Sequence, residues 1–184
     1  LSDDEFVLTP TLTTADKSPA ELADALADTL GQIARVQNLL RLGSAFHGDE
    51  LNVEIALKTR SPKAPRLAQL DTVPVPRLVP DDEIHLQVQN HEDFPVDLNV
   101  LYVGSDYSIS HMFAGRLHPG DRLKQGLLRI TDDSFGRDRV VMILTAARKQ
   151  SAVEDLSFLA QDELPATRAM GDGSFASTLV EAGF

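Results

Sequence analysis

The chain has 184 residues, 42% of them hydrophobic and 24% charged, an ordinary balance for a folded protein that buries about 70% of its unfolded surface. Its formal net charge of −11 argues against a nucleic-acid surface, and no apolar run approaches the ~18 residues needed for membrane insertion as a helix. It contains no cysteine, which excludes disulfides, thiolate nucleophiles and Cys-ligated zinc and leaves the compartment open, with the cytoplasm slightly favoured.

Residues 1–17 form a leading segment in which Phe6-Val7-Leu8 and Leu12 suit a short edge strand, with Pro10 barring a central one. The first residue is Leu1, which reads as the start of a piece cut from a longer protein. Ser18-Pro19-Ala20-Glu21 is a helix start. Ser18 can accept from the free N–H groups of the first turn, Pro19 suits the first helical position, and Glu21 completes a capping box. The stripe Leu22, Leu26, Leu30, Ile33, Val36, Leu40 predicts a helix over Pro19–Ala45, ended near Gly43 or His47-Gly48. A helix with so wide an apolar face must cover something, and the nearest candidate is a sheet.

Leu51–Leu57 alternates as a half-buried strand, and residues 59–80, with five prolines, predict a loop carrying at most one extended edge segment at Leu67–Val79. From Glu83 onward short strands follow one another: Glu83–Gln89, Val96–Val103, Ser108–Phe113, Arg122–Ile130 and Arg139–Ala147. The breaks between them hold Gly, Pro, Asn or Asp. Strands spaced so closely, with no helix between them, predict a mainly β fold. The architecture expected is an antiparallel, Greek-key-like β-sandwich over residues 51–147 with one long N-terminal helix packed on it, all one domain. Val140–Ala147 is expected at the sheet centre, because Val140 to Leu144 are apolar on both faces. The tail, residues 148–184, predicts short helices at Val153–Ala160 and Ser174–Ala182.

The polar residues offer little chemistry. His47, His85, His91, His111 and His118 make no metal-ligand spacing, although His111 shares a strand phase with Ile109 and Phe113 and is expected to point inward. Ser110 and His111 are neighbours on a strand and face opposite ways, so they cannot pair as nucleophile and base. Asp3-Asp4-Glu5, Asp81-Asp82-Glu83, Asp132-Asp133 and the pair Asp93 and Asp97 read as solvated turns, without the residue order of a calcium loop. Arg116, Arg122, Lys124, Arg129, Arg137 and Arg139 read as distributed surface charge, and Gly126 as a bulge within its strand. No residue is assigned a catalytic or metal-binding role, and no cofactor is expected.

The run Phe94-Pro95-Val96-Asp97-Leu98-Asn99-Val100-Leu101-Tyr102-Val103-Gly104 is followed by Ile109-Ser110-His111-Met112-Phe113 and Leu117-His118-Pro119-Gly120-Asp121. Together they resemble the non-catalytic, strand-rich region C-terminal to caspase-like peptidase domains in some bacterial proteins. Asp155-Leu156-Ser157-Phe158-Leu159-Ala160-Gln161, with Leu164-Pro165 and Arg168, is similar to the tail of that region. The resemblance covers about half the chain and implies an accessory, non-catalytic interaction or regulatory domain. Its partner would be another protein or a neighbouring domain of the same polypeptide. The catalytic His and Cys of such proteins sit in a separate peptidase module, and this chain has no Cys to receive the nucleophile's role. Contacts are expected around Tyr102, Tyr107 and Met112. Two alternatives stay open: a stand-alone ligand- or Ca²⁺-binding sandwich, and a hydrolase with an unrecognised site.

Overall fold

The computed structural model describes residues 17–45, 51–71, 75–132, 136–148 and 150–164. A helix, α1, spans Pro19–Ala45, and seven strands follow: β1 (Val53–Ser61), β2 (Ala64–Gln69), β3 (Glu83–Asn90), β4 (Val96–Val103), β5 (Ile109–Leu117), β6 (Arg122–Arg129) and β7 (Arg139–Ala146). They form two antiparallel sheets in the orders β2-β1-β3-β6 and β5-β4-β7. The fold is therefore mainly β, as the strand spacing predicts.

One core lies between the sheets. Ile84, Leu86 and Val88 of β3 meet Leu98 and Val100 of β4, with Leu70, Leu117 and Leu127 closing the sides. Burial along β3 alternates strictly, the signature of a strand with one solvated face. A second cluster lies on the far side of β5-β4-β7, where Val36 and Leu39 of α1 cover Leu101, Val103 and Ile109. β4 thus sends Leu98 and Val100 one way and Leu101 and Val103 the other, and every one of its residues but Tyr102 is buried. The centre of this sheet is β4. The expectation that β7 would occupy it is corrected: among the described residues β7 is an edge strand bonded only to β4, with half-buried apolar side chains on both faces. A continuous apolar run reports cover above and below a strand, not neighbours on both sides of it.

The helix start behaves as its residues dictate. Ser18 N–H donates to Glu21 Oε2 (2.8 Å), and Glu21 N–H donates to Ser18 Oγ (3.3 Å), closing the capping box. Only one edge of the apolar stripe is used, along most of the helix: Thr29 is buried too, and Leu22 and Ile33 are half-buried. Val36 and Leu39 are buried, whereas Leu26 and Leu30 remain 45% and 55% exposed.

The loop expected over residues 59–80 is partly strand. β1 runs on to Ser61, turns through Pro62-Lys63 and pairs with β2, an exposed edge strand that lies earlier than the extended segment expected at Leu67–Val79. Pro65 is tolerated there because an edge strand leaves alternate N–H positions unbonded. Among the described residues of the tail, only Ser157–Leu159 is helical, a single 3-10 turn, and the rest of residues 150–164 is irregular or extended. The final helix expected over Ser174–Ala182 and the leading segment 1–16 lie outside the described residues.

At one end of the sandwich Asn90, fully buried, joins two chain crossings. Its Nδ2 donates to Phe94 O (3.0 Å) and Leu117 O (2.9 Å), and its Oδ1 accepts from Glu92 N–H (2.9 Å). Nearby, His118-Pro119-Gly120-Asp121 closes a tight turn with Gly120 at φ 79°, a left-handed conformation suited to glycine.

Candidate functional site

The densest polar cluster lies on the helix-facing side of β5-β4-β7, beyond the part that α1 covers. Asp97 and Arg116 stand directly opposite each other on β4 and β5. Arg116 Nε donates to Asp97 Oδ1 (2.7 Å) and Nη2 to Oδ2 (2.8 Å), a two-pronged pair with side chains 17% and 3% exposed respectively. Asp97 Oδ2 also accepts from Glu154 N–H (3.1 Å). The Arg116 fork, together with that backbone bond, holds the Asp97 carboxyl below the ordinary carboxylate range against the opposing effect of burial.

The remaining donors of Arg116 reach Ser151 O (2.9 Å), Ala152 O (3.0 Å) and Ser151 Oγ (3.1 Å). Two residues along β4, Asn99 Nδ2 donates to Glu154 O (2.8 Å), while Asn99 Oδ1 accepts from Leu156 N–H (3.0 Å). His111 Nε2 lies 3.1 Å from the same Oδ1 and 3.8 Å from Asp155 Oδ1. Because Leu156 and Glu154 fix which end of the amide is oxygen, the ring must carry its proton on Nε2 to bond there. Thr145 Oγ1 donates to Glu154 Oε2 (2.8 Å). The chain from Ser151 to Leu156 is thus strapped across the sheet by side chains, without strand pairing. Besides pairing with each other, Asp97 and Arg116 direct their further hydrogen bonds to that strap, as does Asn99. What the arrangement does chemically is hold a segment in place, with the Asp97 carboxylate stabilised in its charged form.

A second cluster lies at the open end of the β1–β3–β6 sheet. Glu83 accepts from Arg60 Nε (2.6 Å) and Arg129 Nη2 (3.0 Å), with His85 Nε2 at 3.2 Å. Those two arginines lower the Glu83 carboxyl to about 2. Asp81 adds a looser contact, 3.7 Å from Arg129 Nη1. With Ser61, Pro62 and Pro65 they line a shallow groove of about 410 Å³. Its two positive and two negative charges balance, so the groove presents no net field to an ion. Among the described residues, no group of three His, Asp or Glu side chains is placed to hold a metal ion, and no helix is long and apolar enough to cross a membrane.

The residues expected to make contacts are close in the chain but divided between faces. Tyr102 shares the phase of Leu98 and Val100; burial, then the Asp138 carboxylate that accepts from its phenol, raises its hydroxyl above the usual range. Met112 packs on the same inter-sheet core and is the extra residue of a bulge opposite Val100 and Leu101. Tyr107 belongs to the opposite cluster, under α1, with φ 63° and its carbonyl accepting from Gln161 Nε2 (2.7 Å).

Two expectations about charge are corrected. Asp97 is not a solvated turn residue but a buried strand residue, and Arg116 is its partner, not distributed surface charge. Asp82 is also buried, accepting from Val79 N–H (2.9 Å) in its own turn. The signal for Asp97 was present in the chain: a carboxylate inside an eight-residue strand of otherwise apolar and Asn residues needs a partner, and the next strand offers one cation in range. His111 does face a buried partner, Asn99, on the face it shares with Ile109, but the bulge at Met112 turns Phe113 to the inter-sheet core, so the expected common phase ends there; the bulge beside Gly126 falls at Leu127.

No family model matches the chain, and neither the curated proteins nor the solved structures include one significantly similar to it.

Proposed function

We propose that this chain is an accessory, non-catalytic interaction or regulatory domain, and, following the resemblance of Phe94–Asp121, that it serves a larger bacterial caspase-like protein. The observation that supports an interaction role is the uncovered flank of α1. Leu26 and Leu30, one turn apart, are about half exposed beside the buried line of Thr29, Val36 and Leu39. Apolar side chains aligned this way form a strip that an adjoining domain or partner helix can cover. The strap over Asp97 and Asn99 supports a structural use for the polar residues, since their hydrogen bonds close on the chain itself.

The test is amide hydrogen exchange on α1, compared between this chain and the intact gene product that contains it. Slower exchange over Leu22–Leu30 in the intact protein is the expected result. Identical exchange, or turnover of generic ester or glycoside substrates by the chain alone, would overturn the reading. A rise in melting temperature with excess Ca²⁺ would favour the calcium-binding alternative instead.

A further inference from the structure

The edge of β7 is unlike the other edges of the sandwich. Ala147 N–H donates to Pro95 O (2.9 Å), which fixes the phase of the β4–β7 ladder. Odd-numbered residues of β7 bond to β4, so the backbone N–H and C=O groups of Val140, Met142, Leu144 and Ala146 point away from it. Among the described residues, no strand pairs with them.

Exposed edges of this kind are normally blunted by charge, proline or bulges. β2 carries Pro65 and Arg66; β6 carries Arg122, Lys124 and Arg129 and a bulge at Leu127. β5 has its bulge at Met112, and its first residue, Ile109, is capped by a bridge to Gln161. β7 carries a charge only at its first residue, Arg139. Val140-Val141-Met142-Ile143-Leu144 is uncharged, pairs with β4 without a register shift, and lacks Pro and Gly.

A strand added here must be apolar on both faces, because Val140, Met142 and Leu144 border the inter-sheet core and Val141 and Ile143 border the cluster under α1. β7 itself meets that requirement. We propose that β7 is a self-pairing edge: two copies of the chain join antiparallel along it, Val140 opposite Ala146 and Met142 opposite Leu144 of the second copy. This register bonds every outward-pointing group from Val140 to Ala146 and joins the two small sheets into one of six strands, β5-β4-β7-β7-β4-β5. It sets apolar against apolar or Thr on both faces, with Ile143 meeting its own equivalent on the two-fold axis. It also brings Asp138 of each copy opposite Arg148 of the other, so the ends are complementary in charge. The two-fold symmetry makes the contact closed and prevents growth into a fibre. The inference goes beyond the proposed function and does not depend on it, since the α1 strip and the β7 edge are separate surfaces with separate tests.

The experiment uses the absence of native cysteine. Ile143→Cys places the two thiols at a non-hydrogen-bonded pair, where Cα atoms sit about 4.5 Å apart, within disulfide reach. Thr145→Cys, displaced by two residues from the axis in each copy, separates its equivalents by roughly 14 Å at strand rise and serves as the register control. Mild oxidation is expected to link Ile143→Cys into dimers and leave Thr145→Cys monomeric. Independently of any folding loss in those variants, sedimentation of the wild-type chain should show a concentration-dependent dimer. Ala146→Pro, which removes an outward N–H without breaking a bond to β4, should weaken it at least tenfold with an unchanged far-UV spectrum. A chain that sediments as a monomer throughout the micromolar range overturns the proposal, whether a segment of the same chain or a strand of another protein occupies the edge. A dimer indifferent to Ala146→Pro overturns it equally.

Discussion

Replacing Asp97 with Asn tests whether the strap is part of the fold or merely lies upon it. The carboxylate is 3% exposed and accepts two bonds from Arg116 and one from Glu154 N–H. Hydrogen bonds to a buried charged group contribute about 1.5–3 kcal/mol each, and removing one member of a buried pair costs more than the pair is worth intact. Asn keeps one acceptor oxygen but turns an NH₂ group toward a guanidinium, so the variant should lose about 2–3 kcal/mol. For a chain of this size about 3 °C follows each kcal/mol, giving a melting temperature lower by about 6–9 °C at neutral pH. The folded-state pKa of Asp97 lies below its unfolded value. Its contribution is therefore complete above the unfolded pKa of about 3.9 and disappears as pH falls through the folded value. Differential scanning calorimetry of wild type and Asp97→Asn at several pH values should show a gap that is constant from pH 6 to 8 and closes in acid. Trypsin should also cut the variant faster after Arg148, next to the released strap. A melting temperature within 1–2 °C of wild type at neutral pH, or a gap that widens on acidification, would refute the argument.

The remaining expectations concern the two cores and one turn. Leu98→Ala, at a fully buried position between the sheets, should destabilise by about 2–5 kcal/mol in chemical denaturation. Ile143→Asp puts an unpaired charge against the cluster under α1 and should leave no cooperative melt, whereas Gln87→Asp, on the outer face of β3 opposite Lys124, should stay within about 0.5 kcal/mol of wild type. A soluble, cooperatively melting Ile143→Asp would show that β7 is covered on one face only. Gly120→Ala, forced to keep φ near 79°, should cost about 1–2 kcal/mol, measurable as a shift in denaturation midpoint with unchanged slope.

Much of the fold is legible in local pattern. The capping box at Ser18 and Glu21 sets the helix start, and strict alternation in β3 assigns its solvated face before any contact is known. Strand order is another matter. β4 contains Asp97 and Asn99, which make it look less buried than β7, yet it is the central strand of its sheet, with Asp97 satisfied by Arg116 on the next strand and by Glu154, and Asn99 by residues more than fifty positions later. A non-local partner leaves no trace in a local window. The same holds for α1: its stripe is continuous from Leu22 to Leu40, and nothing in that periodicity says that Thr29, Val36 and Leu39 are buried while Leu26 and Leu30 stay exposed. The strap from Ser151 to Leu156 was hidden for a related reason. Its apolar spacing from Val153 onward suggests a helix, whereas its order comes from side chains of other elements.

Asn90 gives the sandwich two unequal ends. The crossings from β3 to β4 and from β5 to β6 share that one amide, so neither can lengthen, shift or open without stranding buried donors of the other. At the far end, the connections at residues 104–108 and 130–138 are joined by Ser105 N–H donating to Asp138 Oδ1 (2.9 Å), whereas the turn at residues 62–63 shares no such joint among the described residues. Insertions, tags and grafted peptides should accordingly be accepted at that turn and rejected at the Asn90 corner, which makes residues 62–63 the natural place to attach a reporter to this protein.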